Sequence, residues 1–221
     1  YWGVWHGGDD FNAFDDNVGR FMTEYGMQSF PSMSMIESFT HEKDRSLDSD
    51  VMNAHQKASL GTGNLMKYIE DYYRMNDDFE SIVGLSQIMQ AEAIRFAVEA
   101  HRRNMPYCMG TLYWQFNDCW PVISWSSIDY GGNWKALHYA ARKFFSPLLV
   151  SMRDLDNKIE IHVVNDQHHE VESEIRLGLF NFNGDTLFND SSDIKVEPFS
   201  SVIYRAFDKD DLLGKIDPSA I

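Results

Sequence analysis

A single carboxylate, Glu24, is the first residue of this chain whose surroundings indicate chemistry. Apolar residues precede it and Tyr25 and Gly26 follow it, which is typical of a strand that stops abruptly at a sheet edge. In a barrel of parallel strands, active sites lie at that edge. An isolated carboxylate is more often solvated or paired, here with Arg20, so the interpretation of Glu24 depends on a second segment.

The second segment combines aromatic side chains with amide and carboxylate groups. A predicted strand ends at Trp114, Asn117 and Asp118 follow it, and a loop then carries Trp125 and Trp134. Aromatic rings stack on the apolar faces of sugars, while amide and carboxylate groups bind hydroxyls. We therefore predict a carbohydrate site with Trp114 as the platform and with Asn117 and Asp118 as hydroxyl partners or loop caps. Trp125 and Trp134 are either core residues or part of the site.

Three motifs give the chain a resemblance to a known family. They are Glu-Tyr-Gly-Met-Gln-Ser-Phe-Pro at 24–31, Leu-Tyr-Trp-Gln-Phe-Asn-Asp-Cys-Trp-Pro at 112–121 and Trp-Lys-Ala-Leu-His-Tyr at 134–139. Over residues 1–150 the chain resembles glycoside hydrolase family two, and within it the β-mannosidase branch. The resemblance implies an oligosaccharide or glycoside substrate and favours a lysosomal, periplasmic or secreted location over a cytoplasmic one.

The resemblance also implies a mechanism, in which Glu24 is the nucleophile of a retaining exo-glycosidase that removes terminal β-D-mannose from non-reducing ends. The family's acid/base is a glutamate after an asparagine on an earlier strand, and an Asn-Glu pair occurs nowhere in this chain. We therefore expect the chain to be a piece of a longer polypeptide whose upstream part supplies that acid. His6 is either a site residue beside the nucleophile or a structural loop histidine. On a strand, Arg20 would share a face with Glu24 and support it, while Tyr25 would point to the other face.

Two other functions stay open at this stage. Exo-β-glucosaminidases and β-galactosidases belong to the same family, although the residues 25–29 favour the mannosidase. A carbohydrate-binding scaffold that kept the fold and lost the acid/base is the alternative from a different class. The sequence upstream of Tyr1 would separate the enzyme from the scaffold.

The fold class expected is α/β followed by all-β. Residues 1–147 would form the C-terminal portion of a (β/α)8 TIM barrel, with strand seven ending near Glu24 and strand eight near Trp114. Apolar periodicity predicts three helices. The first begins after an N-cap at Asn64, the second spans 83–103 and the third spans 135–145. The charged, aperiodic stretch 40–50 reads as an exposed loop.

Residues 148–221 would form an immunoglobulin-like β-sandwich, which the sequence indicates through its alternating pattern. Apolar residues alternate with polar ones over 159–163 and over 171–179, which predicts two strands. Asn183-Gly184 predicts a turn, and a third strand follows near Leu187. We expect no chemistry in this part of the chain.

Composition and charge exclude several classes of partner. The chain is 43% hydrophobic with a formal net charge of -15, which disfavours nucleic acid and anionic membrane surfaces, and it has no apolar run of membrane-spanning length. Cys108 and Cys119 stand too far apart on one predicted strand to form a disulfide. The pair His168-His169 lacks metal-ligand spacing, so neither a metal nor a cofactor is expected.

Overall fold

A computed structural model describes residues 1–75 and 78–213 of the chain. It divides into two compact units. The first comprises Tyr1–His101 and Cys108–Phe145, and the second comprises Arg102–Tyr107 and the residues from Ser146 onward. The first unit is helical and the second is built from β-sheets.

The helices of the described residues vary widely in length. They are α1 Ala13–Asp16, α2 Met33–Phe39, α3 Asp50–Ala54, α4 Gly61–Tyr72, α5 Phe79–Arg103, α6 Ala136–Phe144 and α7 Lys209–Leu213, with a π-helical turn at Gly3–Gly7 and a 3-10 turn at Glu42–Asp44. The apolar faces of the long helices meet one core, which contains Leu65 and Ile69 of α4, Ile94 of α5 and Leu137 of α6. Burial of these faces, rather than intrinsic propensity, stabilises such helices.

Two of the predictions for the helical unit need correction. Helix α4 begins at Gly61 rather than after Asn64, and the Asn64 amide instead donates to the Trp5 carbonyl (3.3 Å). The stretch 40–50 is not a plain loop, because it contains the 3-10 turn and ends at the start of α3. The Ser49 hydroxyl accepts from the Met52 N–H and so caps α3.

The two predicted barrel strands form only one regular parallel bridge, between Met22 and Thr111. The Met22 carbonyl accepts from the Leu112 N–H (2.8 Å), and the next such bond joins the Tyr25 carbonyl to the Trp114 N–H (2.7 Å). The first segment thus advances three residues while the second advances two. A mismatch of this kind interrupts a ladder and turns the side chains of the longer segment, as a β-bulge does.

The second unit contains two antiparallel sheets. Strands β1 Leu148–Asp154, β2 Lys158–Asn165 and β5 Ser200–Asp208 form one sheet in the order β1-β2-β5, and β3 Val171–Phe180 pairs with β4 Thr186–Val196 in the other. Strands β2, β3 and β4 correspond to the three predicted strands, whereas β1 and β5 were not predicted.

Side chains from both sheets share one apolar cluster. Ile161 and Val163 of β2 lie in it with Ile175 of β3 and with Ile194 and Val196 of β4. The predicted turn lies between β3 and β4, where the glycine of Asn183-Gly184 has a φ of 89°, a backbone conformation that favours glycine.

Candidate active site

Glu24 lies in the irregular part of the parallel pair, between Met22 and Tyr25, and its side chain is exposed. The Trp2 indole N–H donates to Glu24 Oε1 at 2.8 Å. The carboxylate is therefore both accessible and oriented, as a nucleophile requires.

The π-helical turn Gly3–Gly7 places Trp2 and His6 together. The His6 N–H donates to the Trp2 carbonyl (2.8 Å), and the two ring centroids lie 5.1 Å apart. The His6 side chain is exposed. Since Trp2 binds Glu24, this turn brings His6 to the neighbourhood of the carboxylate.

At Gly26 the first segment lies directly against the second. A Cβ at this position would lie 2.4 Å from the Trp114 carbonyl oxygen, 3.0 Å from the Trp2 ring and 3.1 Å from the Trp125 ring. A side chain at position 26 would therefore push the Glu24 segment away from all three tryptophans. Glycine is required here by contact rather than by backbone conformation.

Trp114 follows directly, with 43% of its side chain exposed. Its N–H donates to the Tyr25 carbonyl, and the Trp114-Gln115 peptide bond is cis. Asn117 is exposed too, and its carbonyl accepts from the Gln115 amide (2.9 Å). The structure thus brings the Trp114 backbone next to the Glu24 segment and leaves part of the Trp114 ring accessible.

Tyr25 is fully buried on the core side of its segment. Its hydroxyl lies 2.6 Å from Thr111 Oγ1, which in turn lies 2.8 Å from His101 Nδ1. Burial raises the pKa of the Tyr25 hydroxyl, so it stays neutral. Tyr25 therefore fixes the Glu24 segment to Thr111 on the opposite segment, through a contact within the core.

Arg20 lies near the start of the same segment. It is exposed and its carbonyl accepts from the Met109 N–H (3.0 Å), one step before the regular bridge. Its support of Glu24 from the same face stays a prediction. The donor that the structure gives to Glu24 Oε1 is Trp2, a residue that the sequence analysis did not select.

Asp118 holds its own loop together. Its Oδ1 accepts from the Gln115 amide (3.0 Å), and its Oδ2 accepts from the hydroxyls of Ser124 (2.7 Å) and Ser126 (2.5 Å). The carboxylate is buried, with Lys57 Nζ at 3.9 Å. Of the two roles considered for Asp118, hydroxyl partner and loop cap, the contacts match the second.

Two side chains of α5 hold the residues that follow Glu24. The Gln90 amide donates to the Met27 carbonyl (2.8 Å) and accepts from the Ser29 hydroxyl (2.7 Å), while Ser86 accepts from the Phe30 N–H (3.1 Å). All of these groups are buried. The sequence indicates that this helix is amphipathic. It does not show that the buried polar side chains Ser86 and Gln90 bind the segment that follows Glu24.

Trp125 and Trp134 differ in their surroundings. Trp125 is half-buried and its ring packs edge-on against Trp2 (centroids 6.2 Å apart) and Trp5 (6.1 Å). Trp134 is 45% exposed and lies against His138 and Tyr139. Trp125 therefore belongs to the aromatic cluster formed with Trp2 and Trp5, of which Trp2 donates to Glu24.

The described part of the chain contains neither a cluster of metal-ligating side chains nor a membrane-spanning helix. Among residues 1–75 and 78–213, no group of three or more His, Cys, Asp or Glu side chains could hold a metal ion. Within the same ranges, no helix combines the length and hydropathy needed to cross a membrane. Both cysteines are free thiols, Cys108 buried and Cys119 exposed.

Comparisons with known proteins agree with the resemblance. Residues 157–221 match the family described as Mannosidase Ig/CBM-like domain. The chain is 39% identical over 157 residues to Beta-mannosidase B of Aspergillus terreus, covering 69% of this chain and 19% of that protein. It is 33% identical over 200 residues to Beta-mannosidase B of Neosartorya fischeri, covering 82% and 24%.

Solved structures give the same result. The crystal structure of Beta-D-Mannosidase from Dictyoglomus thermophilum superposes with a TM-score of 0.89 at 34% identity, over 98% of this chain and 26% of that one. An exo-chitosanase of Amycolatopsis orientalis shares the fold, with a TM-score of 0.70 at 18% identity over 82% of this chain and 23% of that one.

These matches place the chain among the glycoside hydrolases. The chain belongs to glycoside hydrolase family two, in its β-mannosidase branch. It spans about a fifth to a quarter of the length of the relatives described above.

Proposed function

We propose that this chain carries the nucleophile of a retaining exo-glycosidase that releases terminal β-D-mannose from the non-reducing ends of β-mannosides. The observation that carries the proposal is the exposed Glu24 carboxylate, which accepts from the Trp2 indole and stands two residues before Gly26, where the segment meets the Trp114 carbonyl. The names of the relatives support a β-mannoside as the substrate.

Glu24 would attack the anomeric carbon of the bound sugar and form a glycosyl ester as the glycosidic C–O bond breaks, while the leaving-group oxygen takes a proton from the acid/base. Water would then attack the same carbon, and the ester bond would break with net retention. This route needs a second carboxyl group about 5 to 5.5 Å from the first. We infer that this acid/base comes from a part of a longer polypeptide, because the Asn-Glu pair that marks it in the family is absent from this sequence.

Trp114 would be the stacking platform, since its ring is accessible and its backbone is fixed next to the Glu24 segment. His6 and Asn117 are exposed polar side chains and would contact sugar hydroxyls. Asp118 would act indirectly, by keeping the loop after Trp114 in place.

The proposal extends to the finer architecture. Residues 1–147 would be the last two strand-helix units of a (β/α)8 barrel, which the parallel bridge at Met22 and Thr111 supports. Residues 148–221 would be an immunoglobulin-like β-sandwich, which the two antiparallel sheets and their shared apolar cluster support.

The test uses this chain within a polypeptide that supplies the remaining barrel strands. Glu24→Ala should abolish hydrolysis of an aryl β-mannoside, and added azide should restore turnover with α-mannosyl azide as product, because azide occupies the space of the lost carboxylate. Glu37→Gln is the matched control, since Glu37 is an exposed carboxylate of the same unit, paired with Arg45. Its activity should equal that of the parent.

Three results would count against the proposal. Azide rescue that yields β-mannosyl azide would remove Glu24 from the nucleophile role. A faster reaction with an aryl β-glucosaminide than with the mannoside would replace the substrate class. Binding of mannosides without any turnover by the parent polypeptide would support a carbohydrate-binding scaffold instead.

A further inference from the structure

Lys135, the residue just before α6, has a side chain that is completely buried in the first unit. Its Nζ donates to the carbonyls of Ser29 and Ser124, both at 3.3 Å, and lies 3.5 Å from Ser126 Oγ. Lysine is almost never fully buried unless it is paired. The proposed mechanism gives this buried ammonium no role.

The three acceptors come from two segments of the site. Ser29 follows Glu24 on the same segment, and Ser124 and Ser126 stand on either side of Trp125. The backbones of Ser29 and Ser124 are also joined directly by two hydrogen bonds, at 3.0 and 3.3 Å. Lys135 thus reinforces the junction between the Glu24 segment and the Trp125 loop.

Asp118 also binds the Trp125 loop. One of its carboxylate oxygens accepts from the hydroxyls of both serines that flank Trp125. Trp125 is therefore bracketed by a buried cation and a buried anion that share Ser126 as a partner. We call Lys135, Asp118, Ser124 and Ser126 the Trp125 clasp.

Trp125 itself has little to fix its orientation apart from packing. Its indole N–H is buried, and within the residues that the structure describes it has no hydrogen-bond partner. Its ring contacts Trp2 and Trp5 edge-on and lies against Gly26. Since Trp2 donates to Glu24, the position of Trp125 bears on the position of the carboxylate.

We propose that Lys135 is a positioning residue of the active site, which acts through the Trp125 clasp to seat Trp125 against Trp2 and Gly26 and so fixes the donor that orients Glu24. The catalytic consequence rests on the proposed function, whereas the seating of Trp125 does not.

The electrostatics support a positioning role over a simple filling of the core. Burial lowers the pKa of the Lys135 ammonium, and Asp118 and Asp129 oppose that shift. Lys57 Nζ lies 3.9 Å from the Asp118 carboxylate as well. Burying a charged group costs free energy that an apolar side chain would not cost, so stability alone gives no reason to place a lysine here.

The experiment measures the tryptophan cluster by near-ultraviolet circular dichroism in the 221-residue chain. All six tryptophans lie in the first unit, and coupled aromatic rings such as Trp2, Trp5 and Trp125 dominate such spectra. Trp125→Phe defines the part of the signal that depends on the seated ring. Lys135→Met, recorded well below its own unfolding transition, should lose most of that part.

Asn165→Leu is the matched control for loss of buried hydrogen bonds. The Asn165 amide is buried and donates to three carbonyls, those of His169, Val196 and Glu197, all in the second unit. This variant should be destabilised and keep the full tryptophan signal. A Lys135→Met protein that unfolds at a lower temperature but keeps the parent spectrum would overturn the proposal.

Ser126→Ala covers the case in which Lys135→Met does not fold. It removes one hydroxyl of the clasp, while Lys135 keeps its two carbonyl acceptors and Asp118 keeps the Ser124 hydroxyl. The spectrum should therefore shift in the same direction by a smaller amount. An unchanged spectrum in Ser126→Ala would also overturn the proposal.

A second arm measures hydrolysis in a polypeptide that contains the remaining barrel strands. Misplacement of a site by about 1 Å can reduce turnover by about a hundredfold, so kcat of Lys135→Met should fall by about that factor with KM almost unchanged. A parent without mannosidase activity would refute the proposed function and leave the spectroscopic result standing. A normal kcat together with a shifted spectrum would refute the catalytic consequence alone.

Discussion

The burial of Lys135 predicts an unusual dependence of stability on pH. Burial lowers the pKa of this ammonium from 10.5 to about 7 in the folded protein. Between pH 7 and pH 9 the unfolded chain therefore keeps a proton that the folded chain has released. Stability rises with pH wherever the unfolded state binds more protons, so Lys135 should make the first unit more stable as the pH rises through this window.

The magnitude follows from the number of protons. One full proton of difference changes the free energy of unfolding by about 1.4 kcal/mol per pH unit. At pH 7 about half of the folded molecules have already released the proton, and by pH 9 nearly all have, while the unfolded lysine stays protonated. Integration over the two pH units gives a gain of about 2 kcal/mol. Below pH 7 both states are protonated, and this contribution is lost.

The assay is urea unfolding of the parent and of Lys135→Met at pH 7, 8 and 9, followed by tryptophan fluorescence. This probe reports on the first unit alone, because the second contains no tryptophan. Other titrating groups, such as the terminal amine of Tyr1, are common to both proteins and cancel in the difference. Parallel changes in the free energies of unfolding of the two proteins across the window would refute the reasoning.

Three further predictions concern the carboxylate and its surroundings. Gly26→Ala would place a Cβ 2.4 Å from the Trp114 carbonyl oxygen and should destabilise the first unit by about 1 to 3 kcal/mol; an unchanged urea midpoint would contradict this. Trp2→Phe removes the donor to Glu24 and should lower kcat by about tenfold to a hundredfold, since hydrogen bonds to charged groups contribute about 1.5 to 3 kcal/mol. Trp134→Phe, at an exposed position outside the cluster, is the control and should be neutral. The 221 residues alone should not hydrolyse even an aryl mannoside with a good leaving group, and turnover comparable with that of an intact glycosidase would place an acid/base within this sequence.

The sequence leads to the two segments that form the site because their local chemistry is distinctive. A carboxylate after an apolar run and a Trp-rich loop after another are visible without any structure, and parallel strands end at the same edge. Period-two alternation likewise predicts β2 and β3, and the Asn183-Gly184 turn predicts that a further strand, β4, follows. These features depend on neighbours along the chain.

Other elements were missed because their signals are weak or long-range. Strand β1 buries Ser151 where an apolar residue would complete the alternation, and most of β5 is exposed. Helices α2 and α3 are short, and their N-caps, Ser32 and Ser49, are the signals that could have revealed them. The donor to Glu24 could not be predicted, because a mismatch in pairing decides where that side chain points.

The position of Glu24 depends on two kinds of contact. Backbone hydrogen bonds at Met22 and Tyr25 fix the segment on either side of it. Contacts between distant parts of the chain then orient the side chain: the Trp2 indole donates to the carboxylate, and Gly26 lies against the Trp114 carbonyl. Substitutions at these buried positions should therefore reduce turnover more than substitutions that alter the exposed rim, even where the rim residue lies nearer to the sugar.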